Sequence, residues 1–179
     1  NKTSETQANG VVSTYTYNSA NKITNLITKS GNSTISEYEY SYYLDGSDAC
    51  KVRSESGIIE TTSYEYDGLK RLTEESVSNG TTMDTYAYEY DDYGNRSKMT
   101  ATGTEEYETV YDYNDANGNY TALLQKETKT VEETSNATIS DGLAISPTDL
   151  ITSTAADAKT EETAYSYDAN GNQITKTAE

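Results

Sequence analysis

Fifteen of eighteen tyrosines fall in clusters of even internal spacing, and they constrain the fold of this 179-residue chain more than any other feature. The clusters are Tyr15 and Tyr17; Tyr38, Tyr40 and Tyr42; Tyr64 and Tyr66; Tyr86, Tyr88 and Tyr90; Tyr107, Tyr111 and Tyr113; and Tyr165 and Tyr167. Strand side chains alternate between two faces. Even spacing therefore puts each cluster on one face and leaves Thr, Glu, Ser and Ala on the other. Each cluster reads as an amphipathic strand.

A turn signal follows each cluster: Asp45-Gly46, Tyr93-Gly94-Asn95, Asn117-Gly118 and Asn170-Gly171. Asn21 and Lys70 stand at the aligned position in two further copies and break the uniformity of the glycine signal. Positions 21, 46, 70, 94, 118, 142 and 171 register the chain at intervals of 25, 24, 24, 24, 24 and 29 residues. Gly142 is placed by spacing alone, since Thr138 stands where the anchoring Tyr belongs. A second stretch follows each turn, as at 22–28, 71–77, 96–102 and 172–177, and ends in a Gly, Asn or polar cluster. About 24 residues thus hold strand, turn, strand and connection, which is one β-hairpin. The chain reads as a single repeat domain, 1–179, of about seven hairpins, with 127–163 a degenerate or elaborated repeat. Tyr113 precedes its glycine by five residues, where Tyr90 and Tyr167 precede theirs by four; a one-residue bulge accounts for the difference.

The inventory removes most chemistry. There is no His and no Trp, and Cys50 is the only cysteine, which excludes His-dependent triads, thiolate zinc sites and intramolecular disulfides. A net charge of −17 repels phosphate backbones and anionic lipid, so nucleic acid and membrane insertion are poor expectations. Leu, Ile and Val make about 13% of the residues and Phe is absent, a poor supply for an aliphatic core.

Aligned on the registration marks, the repeat reads Tyr-x-Tyr-Asp-x-x-Gly-Asn/Arg. Its best copies run from Tyr88 and Tyr90 through Asp91 and Gly94 to Arg96, and from Tyr165 and Tyr167 through Asp168 and Gly171 to Asn172. Tyr64, Tyr66 and Asp67 form a close third. Tyr15 and Tyr17, Tyr40 and Tyr42 with Gly46, and Tyr111 and Tyr113 with Gly118 complete the set. This pattern resembles the YD repeat, or RHS repeat, of large bacterial surface and toxin proteins and of the animal teneurins. The resemblance implies an antiparallel ribbon of hairpins that spirals into a hollow shell or barrel, enclosing a cargo polypeptide in toxin members and serving adhesion or carbohydrate binding in others. The Asp-Pro-rich autoproteolytic region of cargo-releasing members has no counterpart, because the sole proline, Pro147, has no Asp before it. Asn1 in place of an initiator Met suggests a piece of a longer or processed protein.

Fourteen strands would make a ribbon on the order of 65 Å across, wide enough to be expected to curl and turn its tyrosine face into a shared, partly polar interior. The fold expectation is therefore all-β: antiparallel hairpin repeats forming a curled or spiral ribbon, open-shell or barrel-like.

Each remaining motif has a plainer reading beside the functional one. The tyrosine clusters could stack on sugars, but their recurrence in nearly every repeat marks them as structural; a glycan contact needs a local exception, and Tyr43 and Tyr93 lie outside the even pattern. The runs from Asp115 to Asn119 and from Asp168 to Asn172 resemble calcium loops, yet the glycine falls at position four where an EF-hand needs it at six, so they are turns and no metal or cofactor is expected. Glu105-Glu106, Glu132-Glu133 and Glu161-Glu162 read as solvated charge, since adjacent strand residues face opposite ways. Six Asn-x-Ser/Thr sequons hardly exceed chance for 14 Asn and 48 Ser plus Thr.

The functional expectation is a non-enzymatic, extracellular structural and interaction module of a larger bacterial YD-repeat protein. Its partners would be other segments of that protein or neighbouring copies joined through open strand edges. A surface-filament subunit and a carbohydrate-binding or adhesion module with a cell-surface glycan are the alternatives.

Overall fold

A computed structural model describes residues 1–131 and 158–178. All regular structure among them is β, in thirteen strands. The chain divides into two compact units, Asn1–Glu105 and Glu106–Glu179.

The first unit holds β1 (Ser4–Thr6), β2 (Val11–Tyr17), β3 (Ile23–Ser30), β4 (Ser33–Tyr42), β5 (Asp48–Glu55), β6 (Ile58–Tyr66), β7 (Leu72–Ser78), β8 (Met83–Tyr90) and β9 (Arg96–Thr102). Each strand pairs antiparallel with its sequence neighbour. The second holds β10 (Tyr107–Asp112), β11 (Lys126–Val131), β12 (Lys159–Tyr167) and β13 (Gln173–Ala178), paired in the same consecutive way. The expected antiparallel pairing of hairpins is therefore present, and Asn21, Gly46, Lys70, Gly94, Gly118 and Gly171 each take positive φ. The mark at Gly142 and the pair Glu132-Glu133 lie outside the described residues.

The turns show why the mark position tolerates three residue types. In the hairpin between β6 and β7, the Lys70 N–H donates to Asp67 O at 2.9 Å and the Asp67 N–H to Arg71 O at 3.0 Å. The same pair of bonds joins Asn18, Asn21 and Lys22, then Asp91, Gly94 and Asn95, and Asp168, Gly171 and Asn172. This is a type I turn closed by one residue in the left-handed region, a standard three-residue hairpin loop. Asn21 and Lys70 adopt φ of 60° and 63°, so the glycine-free copies make the same turn. For Lys70, a side chain at that φ costs on the order of 1–2 kcal/mol. Lys70→Gly is expected to raise stability by about 1 kcal/mol in urea titration, although it gives up an exposed 3.2 Å ion pair with Asp45.

The motif aspartate closes the loop. Asp67 Oδ1 accepts the N–H groups of Leu69 and Arg71, each at 2.9 Å, and Asp91, Asp115 and Asp168 repeat the arrangement. Backbone donors lower the carboxyl pKa of Asp67 and Asp115, and the Asn172 amide with backbone donors does so for Asp168. A depressed folded pKa gives stability that is complete above the unfolded value of about 4 and is lost as pH falls through the folded one. The Tyr-Asp pair thus couples a strand end to its turn.

Past each of these turns the pairing skips one residue. Glu89 faces Lys98 while Tyr90 faces Arg96, and Thr16/Tyr17, Ser41/Tyr42, Glu65/Tyr66 and Ser166/Tyr167 shift likewise. The irregularity of the fifth copy is larger than the single-residue bulge expected for it. β10 stops at Asp112, Asn114 bridges Tyr120 where a second tyrosine belongs, and β11 resumes only at Lys126. The intervening loop is tied down by Thr121, whose hydroxyl lies 2.9 Å from the carbonyl oxygens of Tyr113 and Leu123.

Among the described residues Ala101 is the one buried hydrophobe, with Thr62, Ser76 and Thr109 as buried polar groups. Ala101 stands directly opposite Tyr86, so a small side chain is covered by larger neighbours on its own face. Among the described residues the stabilising contacts run along the sheet surface from strand to strand.

Candidate functional site

The tyrosine face is built from the second tyrosine of each pair. Tyr90, at the end of β8, donates its hydroxyl to the Leu72 carbonyl at 2.7 Å, and Tyr42 donates to the Ile23 carbonyl at 2.5 Å. In both cases the acceptor lies two residues past the mark of the preceding repeat, on the neighbouring paired strand. Tyr17 reaches Lys2 O at 2.5 Å and Tyr167 reaches Leu124 O at 2.7 Å. One hydroxyl therefore latches each of these repeats to the chain before it and removes the desolvation cost of a half-buried phenol.

Cations complete the ladder. Lys22 Nζ lies 4.7 Å from the Tyr42 ring centroid and Arg71 Cζ 4.5 Å from that of Tyr90. Each cation stands one residue past the mark of the preceding repeat. Arg96 covers Tyr88 at 4.1 Å, Lys129 covers Tyr107 at 3.8 Å and Lys176 covers Tyr165 at 5.6 Å. A cation over a tyrosine face is attracted by the ring quadrupole, worth about 0.5–1 kcal/mol when exposed. The sequence carried this signal as a basic residue just after the turn, but the charge total of the chain concealed it.

Burial raises the pKa of Tyr40, Tyr42, Tyr64 and Tyr66, helped by neighbouring carboxylates and phenols. Tyr165 is pushed up to about 12, chiefly because its hydroxyl donates to Glu127 Oε2 at 2.8 Å. Since the folded values exceed the unfolded one near 10, this contribution is complete below about pH 10 and is lost as pH rises through the folded values. The melting temperature is expected to fall steeply above about pH 10, together with the rise of tyrosinate absorbance. A flat melting temperature through that rise would mean the hydroxyls hold nothing.

The other sequence-selected residues fall as follows. Tyr15, Tyr40, Tyr64, Tyr88, Tyr111 and Tyr165 sit on strands at half-buried positions, and Gly46, Gly94, Gly118 and Gly171 occupy turns at φ of 90°, 88°, 79° and 82°. Tyr113 leaves the ladder and lies 6.2 Å from Tyr120, ring to ring. Tyr93 projects from its turn, 73% exposed. Tyr43 takes the place of the turn aspartate: its hydroxyl donates to Tyr64 O at 2.9 Å, and its ring meets Tyr66 edge-on at 6.2 Å and 89°.

Beside Tyr43 is a surface cleft of ≈ 500 Å³, lined by that residue with Leu44, Asp45, Ser47, Glu65, Tyr66 and Asp67. The cleft has two aromatic walls at right angles, a fully exposed Leu44 and three carboxylates. Asp45 pairs with Lys70 at 3.2 Å and Asp67 with Arg71 at 2.7 Å, whereas Glu65 makes no ion pair among the described residues. No cluster of three or more His, Cys, Asp or Glu able to hold a metal occurs among the described residues.

No family model and no curated protein matches the chain. Solved structures do. The crystal structure of TcdB2-TccC3-Cdc42 matches with a TM-score of 0.65 at 18% identity, over 98% of this chain and 8% of the other. That of TcdB2-TccC3 without its hypervariable C-terminal region matches with a TM-score of 0.63 at 18% identity, over the same shares. The chain spans about a twelfth of the length of the chains it resembles. At this identity the likeness defines the fold, and it agrees with the motif: the chain has the antiparallel hairpin-repeat architecture of the YD-repeat, or RHS-repeat, shell proteins.

Proposed function

We propose that the chain is a non-enzymatic structural module, a stretch of repeat wall within a larger extracellular YD-repeat protein of the surface or toxin-shell kind. The observation that carries this reading is the latch. The residues the motif repeats are spent on joining each repeat to the one before it, through the hydroxyls of Tyr42 and Tyr90 and the cations Lys22 and Arg71. The likeness to one segment of a far longer toxin chain supports a role in which neighbouring segments of the same protein are the partners.

Sedimentation velocity over a wide concentration range tests the reading against its strongest rival, a self-assembling filament. A wall segment sediments as one species near 19.7 kDa at all concentrations. Species that grow with concentration would transfer the function to assembly through the open edges.

A further inference from the structure

The cleft at Tyr43 lies where the repeat pattern calls for a cation. Lys22 and Arg71 each stand one residue past a mark and cover the second tyrosine of the following repeat, Tyr42 and Tyr90. The repeat between them has Ser47 at that position and Tyr66 as the tyrosine to be covered. Ser47 is too short to reach across, and both residues line the cleft. The other features of the place also favour a positive charge. Tyr66 makes no hydroxyl hydrogen bond among the described residues, Glu65 has no ionic partner there, and hydrogen bonds and cations hold Asp45 and Asp67 below the usual carboxylate range. Lys70 and Arg71 already neutralise Asp45 and Asp67, which leaves the Glu65 carboxylate for a guest.

From this geometry we propose that the cleft binds one arginine or lysine side chain presented by a basic polypeptide. The cationic head lies over Tyr66 and against Glu65, and the aliphatic stem lies along Tyr43 and Leu44. The chain supplies its own template for the contact, because Lys22 on Tyr42 also donates its ammonium to the carbonyl of Gly46 at 2.5 Å. A sugar would use the same aromatic walls and donate its hydroxyls to Glu65, so it stands as an outcome of the test. This inference does not depend on the wall-segment reading.

The test titrates acetyl-Gly-Arg-Gly-amide into the ¹⁵N-labelled full chain, beside the isosteric neutral peptide in which citrulline replaces arginine. The arginine peptide is expected to shift the amides of residues 43–47 and 65–67 saturably, and the citrulline peptide to bind about tenfold more weakly. Ser47→Arg supplies the missing cation in cis; it should abolish the shifts and raise the melting temperature. Tyr66→Leu, which spares the backbone, should weaken binding about tenfold. Three results would overturn the proposal: equal binding of the two peptides, shifts spread over the acidic surface, or binding that survives Ser47→Arg. Should Ser47→Arg fail to fold, the citrulline comparison and Tyr66→Leu still decide. Shifts at these residues with a monosaccharide and none with arginine would assign the cleft to a glycan instead.

Discussion

Replacing Gly103 with alanine should destabilise the protein by about 3 kcal/mol, more than the same change at any other described glycine. Gly103 follows β9 at φ of 124°, a region L-residues rarely enter. A Cβ there would stand 2.4 Å from the Met83 carbonyl oxygen, 2.5 Å from Asp84 Oδ1 and 2.9 Å from Asp84 Cα. Two of those three atoms are backbone and cannot rotate away. The adjacent Thr104 N–H, bound to Asp84 Oδ1 at 2.6 Å, would be displaced as well. Gly94→Ala is the control: its φ is 88°, but nothing lies within 4 Å of the added methyl, so its cost is the backbone strain alone, about 1 kcal/mol. Urea titration of the two variants separates steric clash from backbone preference. Equal losses would mean that the chain passes Met83 less closely than the geometry states.

Tyr90→Ala should cost nearly as much, about 3 kcal/mol. The variant removes half-buried aromatic surface, the face on which Arg71 lies at 4.5 Å, and the hydroxyl that closes on Leu72 O. Two other groups lose a partner at the same time. The Leu72 carbonyl loses its phenol, and Arg71, still paired to Asp67 at 2.7 Å, loses the ring beneath it. Truncation leaves these groups to water, so the loss should appear as early exchange of the amides of β7 and β8. A loss under about 1 kcal/mol would put the ring among ordinary surface side chains.

Much of this was legible in the sequence, for a physical reason. A period of two in tyrosine and a period near 24 in turn residues are both consequences of strand geometry, and neither depends on tertiary context. Turn identity at Asn21 and Lys70 was harder to read. Residues other than glycine reach positive φ when the surrounding bonds determine it, and here Asn18 and Asp67 do so. The latch was hidden because its acceptors are backbone carbonyls, at Ile23 and Leu72, which no side-chain pattern reveals. Tyr43 stands outside the even spacing, but the consequence of that follows only from knowing that Ser47 lies where the flanking repeats carry Lys22 and Arg71.

The measurement that bears most directly on the repeat latch is the urea stability of three single-oxygen deletions, Tyr42→Phe, Tyr90→Phe and Tyr38→Phe. The rings remain in all three. Tyr42 and Tyr90 each lose a hydrogen bond to the preceding repeat, while Tyr38, stacked on Tyr40 at 6.4 Å, loses none among the described residues. The latch predicts losses of about 1 kcal/mol at Tyr42 and at Tyr90 and no measurable loss at Tyr38. Equal effects at all three positions, or none at any, would contradict it.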